Sequence, residues 1–196
     1  PPTIDATTFT NVSPEARLIV PNGTKELYKN ATGWNVFPTI LEESELQSSR
    51  TLHVATAGSL STLIPEDEID NIESLTLTGQ LNADDLSFIK YNLCGVNQHG
   101  ILRLLDMTNA RIENDAIGQD GLAGAITLEE IKLPNTLKSI GKSAFMNSGI
   151  KKIVIPKSVT KLDFEIFYQC HSLASISVEA GNPVFDSRED CNAIIE

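Results

Sequence analysis

The sequence has little of what membrane-spanning, secretory-leader or nucleic-acid-binding segments require. No run of strictly apolar residues exceeds three, so we expect neither a membrane span nor a signal peptide within this chain. Lys and Arg total 15 against 26 Asp and Glu, which gives a net charge of −11. Because phosphate backbones bind basic surfaces, nucleic acid is not an expected partner. The composition, 41% hydrophobic and 21% charged, is otherwise that of a globular protein.

Cysteine is also scarce. The three cysteines, Cys94, Cys170 and Cys191, are an odd number and form no C-x-x-C pair. This pattern excludes a disulfide-built scaffold, a zinc knuckle and a dithiol redox motif. We expect buried thiols that pack as small hydrophobic side chains, and a bridge between Cys170 and Cys191 stays open as the alternative.

Recognisable catalytic motifs are missing as well. The three histidines, His53, His99 and His171, are scattered, and none has a partner two or four positions further on. The sequence contains no H-E-x-x-H, no G-x-S-x-G and no phosphate-binding loop. We therefore predict a non-enzymatic protein with no catalytic residues, no cofactor and no metal ligands.

Two polar segments are candidate ligand sites. Residues 118–124 (GQDGLAG) are glycine-rich, but no Lys-Ser or Lys-Thr follows them, so a flexible loop is favoured over an anion-binding nest. Residues 66–70 (EDEID) are acidic but lack the glycine and alternating spacing of a calcium loop. They predict a solvated turn after Pro65, with weak calcium binding left open.

What the sequence does contain is an internal repeat. Residues 128–134 (LEEIKLP) align with residues 150–156 (IKKIVIP) at an offset of 22, and a third copy begins at residues 173–178 (LASISV) at an offset of 23. The alignment continues beyond the strand, where Phe145 falls on Phe167. The same apolar pattern occurs upstream in residues 102–107 and 72–77, at offsets of 26 and 30. Such periodicity is typical of a solenoid.

A short strand with apolar residues at positions i, i+3 and i+5 cannot bury its own face. Parallel stacking of successive copies, about 4.8 Å apart, solves that problem. Burying each Leu, Ile or Phe would stabilise the stack by about 1.5–3 kcal/mol. The predicted fold is α/β: a leucine-rich-repeat solenoid whose short parallel strands stack into one sheet, with helical or irregular return segments.

The repeats resemble a known family. Residues 128–145 follow the pattern L-x-x-I-x-L-P-x-x-L-x-x-I-G-x-x-A-F, which looks like the BspA-type leucine-rich repeat of bacterial surface proteins. Residues 167–173 (FYQCHSL) and 182–187 (NPVFDS) are similar to later parts of that repeat. The resemblance is specific over residues 128–196 and looser over residues 51–127.

Three segments follow from this pattern. Residues 1–41 form a repeat-like segment with a capping helix, which resembles the end of an array because the spacing from Phe9 to Val20 equals that from Phe167 to Val178. Residues 42–127 hold longer, irregular repeats that open a second solenoid. Residues 128–196 hold the regular repeats, whose offsets are 22 and 23. We therefore expect a piece of a longer protein or an engineered chain, with a rearranged or domain-swapped module as the alternative.

Within these segments, two helices and a linker are predicted. The short helix begins at Thr24 and is stopped by Gly33, and a second helix begins at Asn82. Residues 41–50 predict a linker or a short helix, and a strand opens at Thr51.

Charge is distributed unevenly along the repeats. Residues 132–161 contain seven lysines and no acid. One interpretation is a solvated surface on which Glu129 and Glu130 pair with Lys151 and Lys152 on the neighbouring rung. The other is a face that recruits an anionic ligand. The residues predicted for that ligand-binding face are Lys132, Lys151, Lys152 and Lys157.

The resemblance implies a cell-surface or secreted protein that adheres to a host matrix protein or glycan, or to another microbial surface protein. It carries over no cofactor and no binding residue. The alternatives are a structural spacer and, with less support, a carbohydrate-active enzyme using paired carboxylates. The ligand and the oligomeric state stay open.

Overall fold

A computed structural model describes residues 1–5, 7–12, 16–42, 49–97, 99–187 and 193–195. The chain divides into two compact units, Pro1–Ser48 and Ser49–Glu196.

The first unit is a small parallel β-α-β arrangement. Strand β1 (Arg17–Val20) pairs with β2 (Thr39–Glu42), and helix α1 (Lys25–Lys29) lies between them in sequence. The Thr24 hydroxyl donates to the Pro21 carbonyl at 2.5 Å, so the predicted N-cap residue holds the preceding turn and makes no side-chain cap. The predicted helix is present, but it ends at Lys29 with Asn30 as its C-cap, before the predicted stop at Gly33.

Aromatic rings pack around this helix. The Phe9 ring lies 5.2 Å from that of Trp34 and 5.1 Å from that of Phe37, measured between centroids. Trp34 also meets Tyr28 edge to face, and its indole N–H donates to the Pro2 carbonyl at 2.9 Å. The half-buried indole therefore has both apolar and polar partners.

The linker prediction for residues 41–50 was wrong at both ends. Leu41 and Glu42 belong to β2, and Ser49 and Arg50 open the next strand. Residues 43–48 lie outside the described residues. The sequence signal missed β2 because a four-residue strand with polar ends carries almost no periodicity.

The second unit is a solenoid built on two parallel ladders. The strands of the larger ladder, the main sheet, are β3 (Ser49–Val54), β4 (Ser74–Leu81), β5 (Leu104–Ile112), β7 (Glu130–Lys132), β9 (Lys152–Ile155) and β11 (Ser175–Val178). The return segments contribute the smaller ladder of β6 (Ala116–Ile117), β8 (Ser139–Ile140) and β10 (Lys161–Leu162). The main sheet has the order β11-β9-β7-β5-β4-β3, and the smaller one the order β10-β8-β6.

The register of the main sheet confirms the predicted offsets. Leu75 pairs with Leu105, and Leu105 pairs with Ile131, as the offsets of 30 and 26 require. Ile131 pairs with Ile153, and Ile153 with Ile176, as the offsets of 22 and 23 require. The side chains of these residues face the core. The first four are almost completely buried, whereas Ile176, on the last strand, is half-buried.

The longer repeats have longer strands and also contain helical return segments. These are α2 (Leu60–Leu63), a 3₁₀ helix (Glu66–Asn71), α3 (Ala83–Phe88) and a π-helical turn (Ile89–Leu93). Helix α3 confirms the start predicted at Asn82, whose side chain accepts from the Asp84 and Asp85 N–H groups at 2.9 and 3.2 Å. The Asp85 side chain accepts in return from the Asn82 N–H, which completes a capping box.

Candidate functional site

The outer face of the main sheet carries the side chains that point away from the core. We use the term "outer face" for six residues of β5, β7 and β9: Leu104, Asp106, Glu130, Lys132, Lys152 and Val154. Pleating puts alternate residues on opposite sides of a strand, so none of the six contributes to the buried core.

The four predicted ligand-binding lysines lie around two neighbouring strands. Lys132 is in β7 and Lys152 in β9, both on the outer face, while Lys151 precedes β9 and Lys157 follows it. The structure therefore places Lys132 and Lys152 on neighbouring strands of one face, with Lys151 and Lys157 beyond opposite ends of β9.

Three of these lysines have acidic partners. The Lys132 ammonium lies 3.0 Å from the Asp106 carboxylate, and the Lys151 ammonium lies 2.8 Å from that of Glu129. Lys157 and Glu179 approach to 3.9 Å. The predicted pairing of Glu129 with Lys151 is confirmed, and Lys152 pairs in backbone register with Glu130. Within the described ranges, Lys152 makes no ion pair, so it is the least neutralised of the four.

Glu129 is the centre of a charge ladder that crosses three rungs. Its carboxylate accepts from the Arg103 guanidinium at 3.0 Å as well as contacting Lys151. The hydrogen bond from Arg103, followed by that from Lys151, lowers the Glu129 pKa to about 2. Sequence reasoning missed Arg103, although its offset of 26 from Glu129 equals the offset of the two strands.

Two shallow grooves flank the lysine on β7. One, of about 290 Å³, has Lys132, Asn135, Lys152 and Val154 among its lining residues. The other, of about 150 Å³, lies toward Ser74, Thr76 and Leu104. Leu104 is 45% exposed and Val154 41% exposed. The outer face therefore combines apolar contact area with charges of both signs.

The acidic segment at residues 66–70 forms the 3₁₀ helix, not an isolated turn. Glu68 pairs with Arg50, and Asp70 accepts from the Gly100 N–H at 2.7 Å. That backbone N–H, with a smaller contribution from His99 at 3.5 Å, lowers the Asp70 pKa. Over the described part of the chain, no three His, Cys, Asp or Glu side chains form a cluster able to hold a metal ion.

The neighbouring acids of α3 diverge, as expected from their positions on a helix. Asp84 is exposed, whereas Asp85 is 1% exposed and its carboxylate accepts from three backbone N–H groups. The donors are those of Gly58 at 2.7 Å, Leu60 at 2.9 Å and Asn82 at 2.9 Å. The Asp85 side chain thus ties α2 to α3 and is fully engaged in structure.

The glycine-rich segment predicted as a flexible loop is instead an ordered turn of the repeat. The Asp120 N–H donates to the Lys142 carbonyl at 3.0 Å, and the Leu122 N–H donates to that of Ala144 at 2.8 Å. The left-handed conformation of Asp120 recurs at Ser143 and Glu165, one and two repeats later. The regular turn geometry therefore begins before residue 128.

The cysteines occupy different environments. Cys94 is fully buried, and burial raises the pKa of its thiol to about 12. Cys170 is half-buried, and its thiol donates to the Phe145 carbonyl at 2.9 Å. Cys191 lies outside the described residues. The expectation of a purely apolar role thus fits Cys94, whereas Cys170 uses its S–H as a donor.

Among the helices of the described residues, none has the length and apolar character needed to cross a bilayer. The chain has no match among curated proteins.

Two solved structures are similar to this chain. One is a leucine-rich repeat protein from Eubacterium ventriosum, 22% identical, with a TM-score of 0.47, and the match covers 76% of this chain and 43% of that protein. The other is the pneumococcal vaccine antigen PcpA, 17% identical, with a TM-score of 0.47, and the match covers 76% of this chain and 34% of PcpA. The matched part thus corresponds to less than half the length of either protein.

A family model supplies the assignment. The model described as the BspA type leucine rich repeat region, in six copies, matches residues 104–188. This range contains β5 to β11, whose register repeats at offsets of 22 to 26. Residues 104–188 are therefore a BspA-type leucine-rich repeat region within this chain.

Proposed function

We propose that this chain is a non-enzymatic binding module of a cell-surface or secreted protein and mediates adhesion. Its partner would be a host matrix protein or glycan, or a surface protein of another microbe. The BspA-type repeats support the location and the class of partner. The outer face supports the mode of binding, because a solenoid can vary exposed side chains without disturbing its core.

The observation that carries the proposal is the outer face itself. Leu104 and Val154 expose apolar area beside the lysines, and Lys132 and Lys152 both line the 290 Å³ groove. Apolar contacts supply affinity, while charges set orientation and the rate of encounter. Lys152 is the first residue to test. Of the four predicted lysines, it alone makes no ion pair within the described ranges.

The experiment is a binding screen of the purified chain against matrix glycoproteins and anionic polysaccharides, at low and at physiological salt. A hit is then repeated with Lys152→Glu. We expect affinity to fall about twofold to fivefold, because one exposed charge pair is worth up to about 1 kcal/mol. We also expect the salt dependence to become shallower.

The double reversal of Lys151 and Lys152 is a less clean test. Lys151→Glu would place a second acid against Glu129 and break the ladder, so weaker binding would mix a lost contact with a local rearrangement. Lys161→Glu is the matched control, because Lys161 is exposed on β10 in the other ladder. Equal affinity of wild type and Lys152→Glu for every hit would remove the outer-face lysines from the proposal.

A further inference from the structure

A second cleft lies away from the outer face, between the helical return of one long repeat and the turn of the next. We call it the Lys90 cleft. Its volume is about 280 Å³, near the lower end of the roughly 300–1,000 Å³ usual for small-molecule sites. Its walls come from α3, from Lys90 in the π-helical turn and from residues 112–121. The size suits one small molecule.

Lys90 is the unusual residue of this cleft. It is 9% exposed, although lysine is almost never buried without a partner. Its ammonium donates to the Asp120 backbone carbonyl at 2.9 Å and lies 4.6 Å from the centroid of the Tyr91 ring. Among the residues that the structure describes, no carboxylate pairs with it. A neutral carbonyl and a ring face leave the positive charge without a counter-ion.

Two exposed lysines in and beside the outer face have acidic partners, in contrast to Lys90. Lys132 and Lys151 are more than half exposed and still have carboxylates at 3.0 and 2.8 Å. The buried ammonium, which loses more hydration, is the one without such a partner. Burying an unpaired charge is costly, so a ligand that supplies the missing counter-ion would be favoured there.

We propose that the Lys90 cleft binds a small carboxylate ligand of the uronic-acid class, with the ligand carboxylate on the Lys90 ammonium. An ammonium has three donors, and the Asp120 carbonyl uses one of them. This inference is independent of the outer-face proposal, because the two sites share no residue.

The remaining lining residues favour an acidic sugar over a bare anion. Ser87, Asn114 and Gln119 offer hydroxyl and amide groups, which bind sugar hydroxyls. Apolar side chains offer a surface for the C–H face of a pyranose ring. Two acidic residues, Glu113 and Asp120, also line the cleft. The two carboxylates repel a doubly charged phosphate more than a singly charged carboxylate.

The test is an NMR titration of the full chain at constant ionic strength with three probes: D-glucuronate, acetate and D-glucose. We expect glucuronate to shift the amide resonances of Gly118, Asp120 and Gly121, and glucose to leave them unchanged. Acetate shifts at the same amides, weaker than those of glucuronate, would support recognition of both the carboxylate and the hydroxyls. No saturable shift with glucuronate, or equal shifts with glucose, would overturn the proposal.

Variants separate the ligand contact from a structural role. Lys90→Met keeps the aliphatic stem and removes the charge, and we expect it to weaken glucuronate binding about tenfold or more. Lys161→Met removes one charge from an exposed lysine, and its affinity should equal that of wild type. Glucuronate affinity that survives in Lys90→Met would contradict the assignment.

A third variant keeps the proposal testable if Lys90→Met does not fold. Glu113 is exposed, so Glu113→Gln should leave the fold intact while it removes one negative charge from the cleft. We expect it to bind glucuronate about twofold to fivefold more tightly, because repulsion between exposed like charges is weak but measurable. Unchanged or weaker affinity would argue against a carboxylate seated there.

Discussion

The regular repeats and the longer repeats of the second unit build the same sheet with different returns. In the regular part, β7, β9 and β11 follow one another at offsets of 22 and 23. In the longer part, β4 and β5 are offset by 30 and extend over eight and nine residues. The core-facing positions Leu75, Leu105 and Ile131 stay in register across both parts, so the extra length of the longer repeats goes into longer strands and longer return segments.

This difference separates the two candidate sites. The regular repeats hold both outer-face lysines, and Asp106 on the adjacent rung pairs with one of them, Lys132. The longer repeats insert α3 and the π-helical turn, and with them the buried Lys90. Regular spacing thus produces ladders of similar environments, whereas the helical insertion contributes walls to the Lys90 cleft.

Removing one ring of the stacked aromatic pair in the regular repeats should cause the largest loss of stability. Phe145 is fully buried, and its ring stacks on that of Phe167 with centroids 5.7 Å apart and planes 7° from parallel. Phe145→Ala should lower the free energy of unfolding by about 3–5 kcal/mol, since it opens a cavity between two rungs. Urea denaturation followed by circular dichroism measures the loss.

Phe164→Ala is the matched control, because Phe164 belongs to the same part of the array and is 58% exposed. Its free energy of unfolding should stay near that of wild type. A small loss in Phe145→Ala as well would mean that the regular rungs do not depend on their aromatic stack, and the comparison with the helical returns would fail.

This pair also shows what the sequence predicts well. The repeat offset alone aligns Phe145 with Phe167, and their rings are in contact. Periodic apolar positions predict contacts between rungs because each repeat buries its face only against its neighbour. Helix α3 is predictable for a different reason, since Asn82 and Asp85 form a local capping signal.

A second substitution tests the longer repeats, in which the buried Asp85 carboxylate joins the helical segments α2 and α3. Asp85→Ala removes the acceptor for three backbone N–H groups at Gly58, Leu60 and Asn82. We expect the free energy of unfolding to fall by about 2–3 kcal/mol, because buried donors without acceptors are costly. Hydrogen exchange should show the loss in α2 and α3 before it appears in β9.

Asp84→Ala is the control within the same helix. Asp84 is exposed, and it occupies the same helical turn as Asp85. The result expected for it is a change of about a few tenths of a kcal/mol, in line with an exposed acid near a helix N-terminus. If both variants lost the same stability, helix propensity would explain the effect and the buried carboxylate would not.

The contacts that sequence reasoning missed depend on groups far apart in the chain and outside the repeat pattern. Lys90 is held by the carbonyl of Asp120 in a distant turn, and nothing in its local sequence indicates burial. The Asp85 carboxylate accepts from the Gly58 N–H, and Gly58 precedes a four-residue helix that is too short to predict. Such contacts follow from tertiary packing, whereas the rung-to-rung contacts follow from spacing.

The smallest effect is expected in the charge ladder, and it should appear as a pH dependence. The native Glu129 pKa of about 2 lies below the ordinary value of 4.5 because Arg103 and Lys151 hold the carboxylate in its charged form. Between these two values the unfolded chain binds the extra proton. The contribution of Glu129 to stability is therefore present above pH 4.5 and is lost as the pH falls toward 2.

Glu129→Gln lacks this contribution at every pH. The gap in free energy of unfolding between wild type and Glu129→Gln should therefore be widest near neutrality and should close near pH 2, as urea denaturation at several pH values would show. A gap that stays constant with pH would mean that the ladder acts through hydrogen-bond geometry alone. The negative charge of Glu129 would then contribute nothing to the free energy of unfolding.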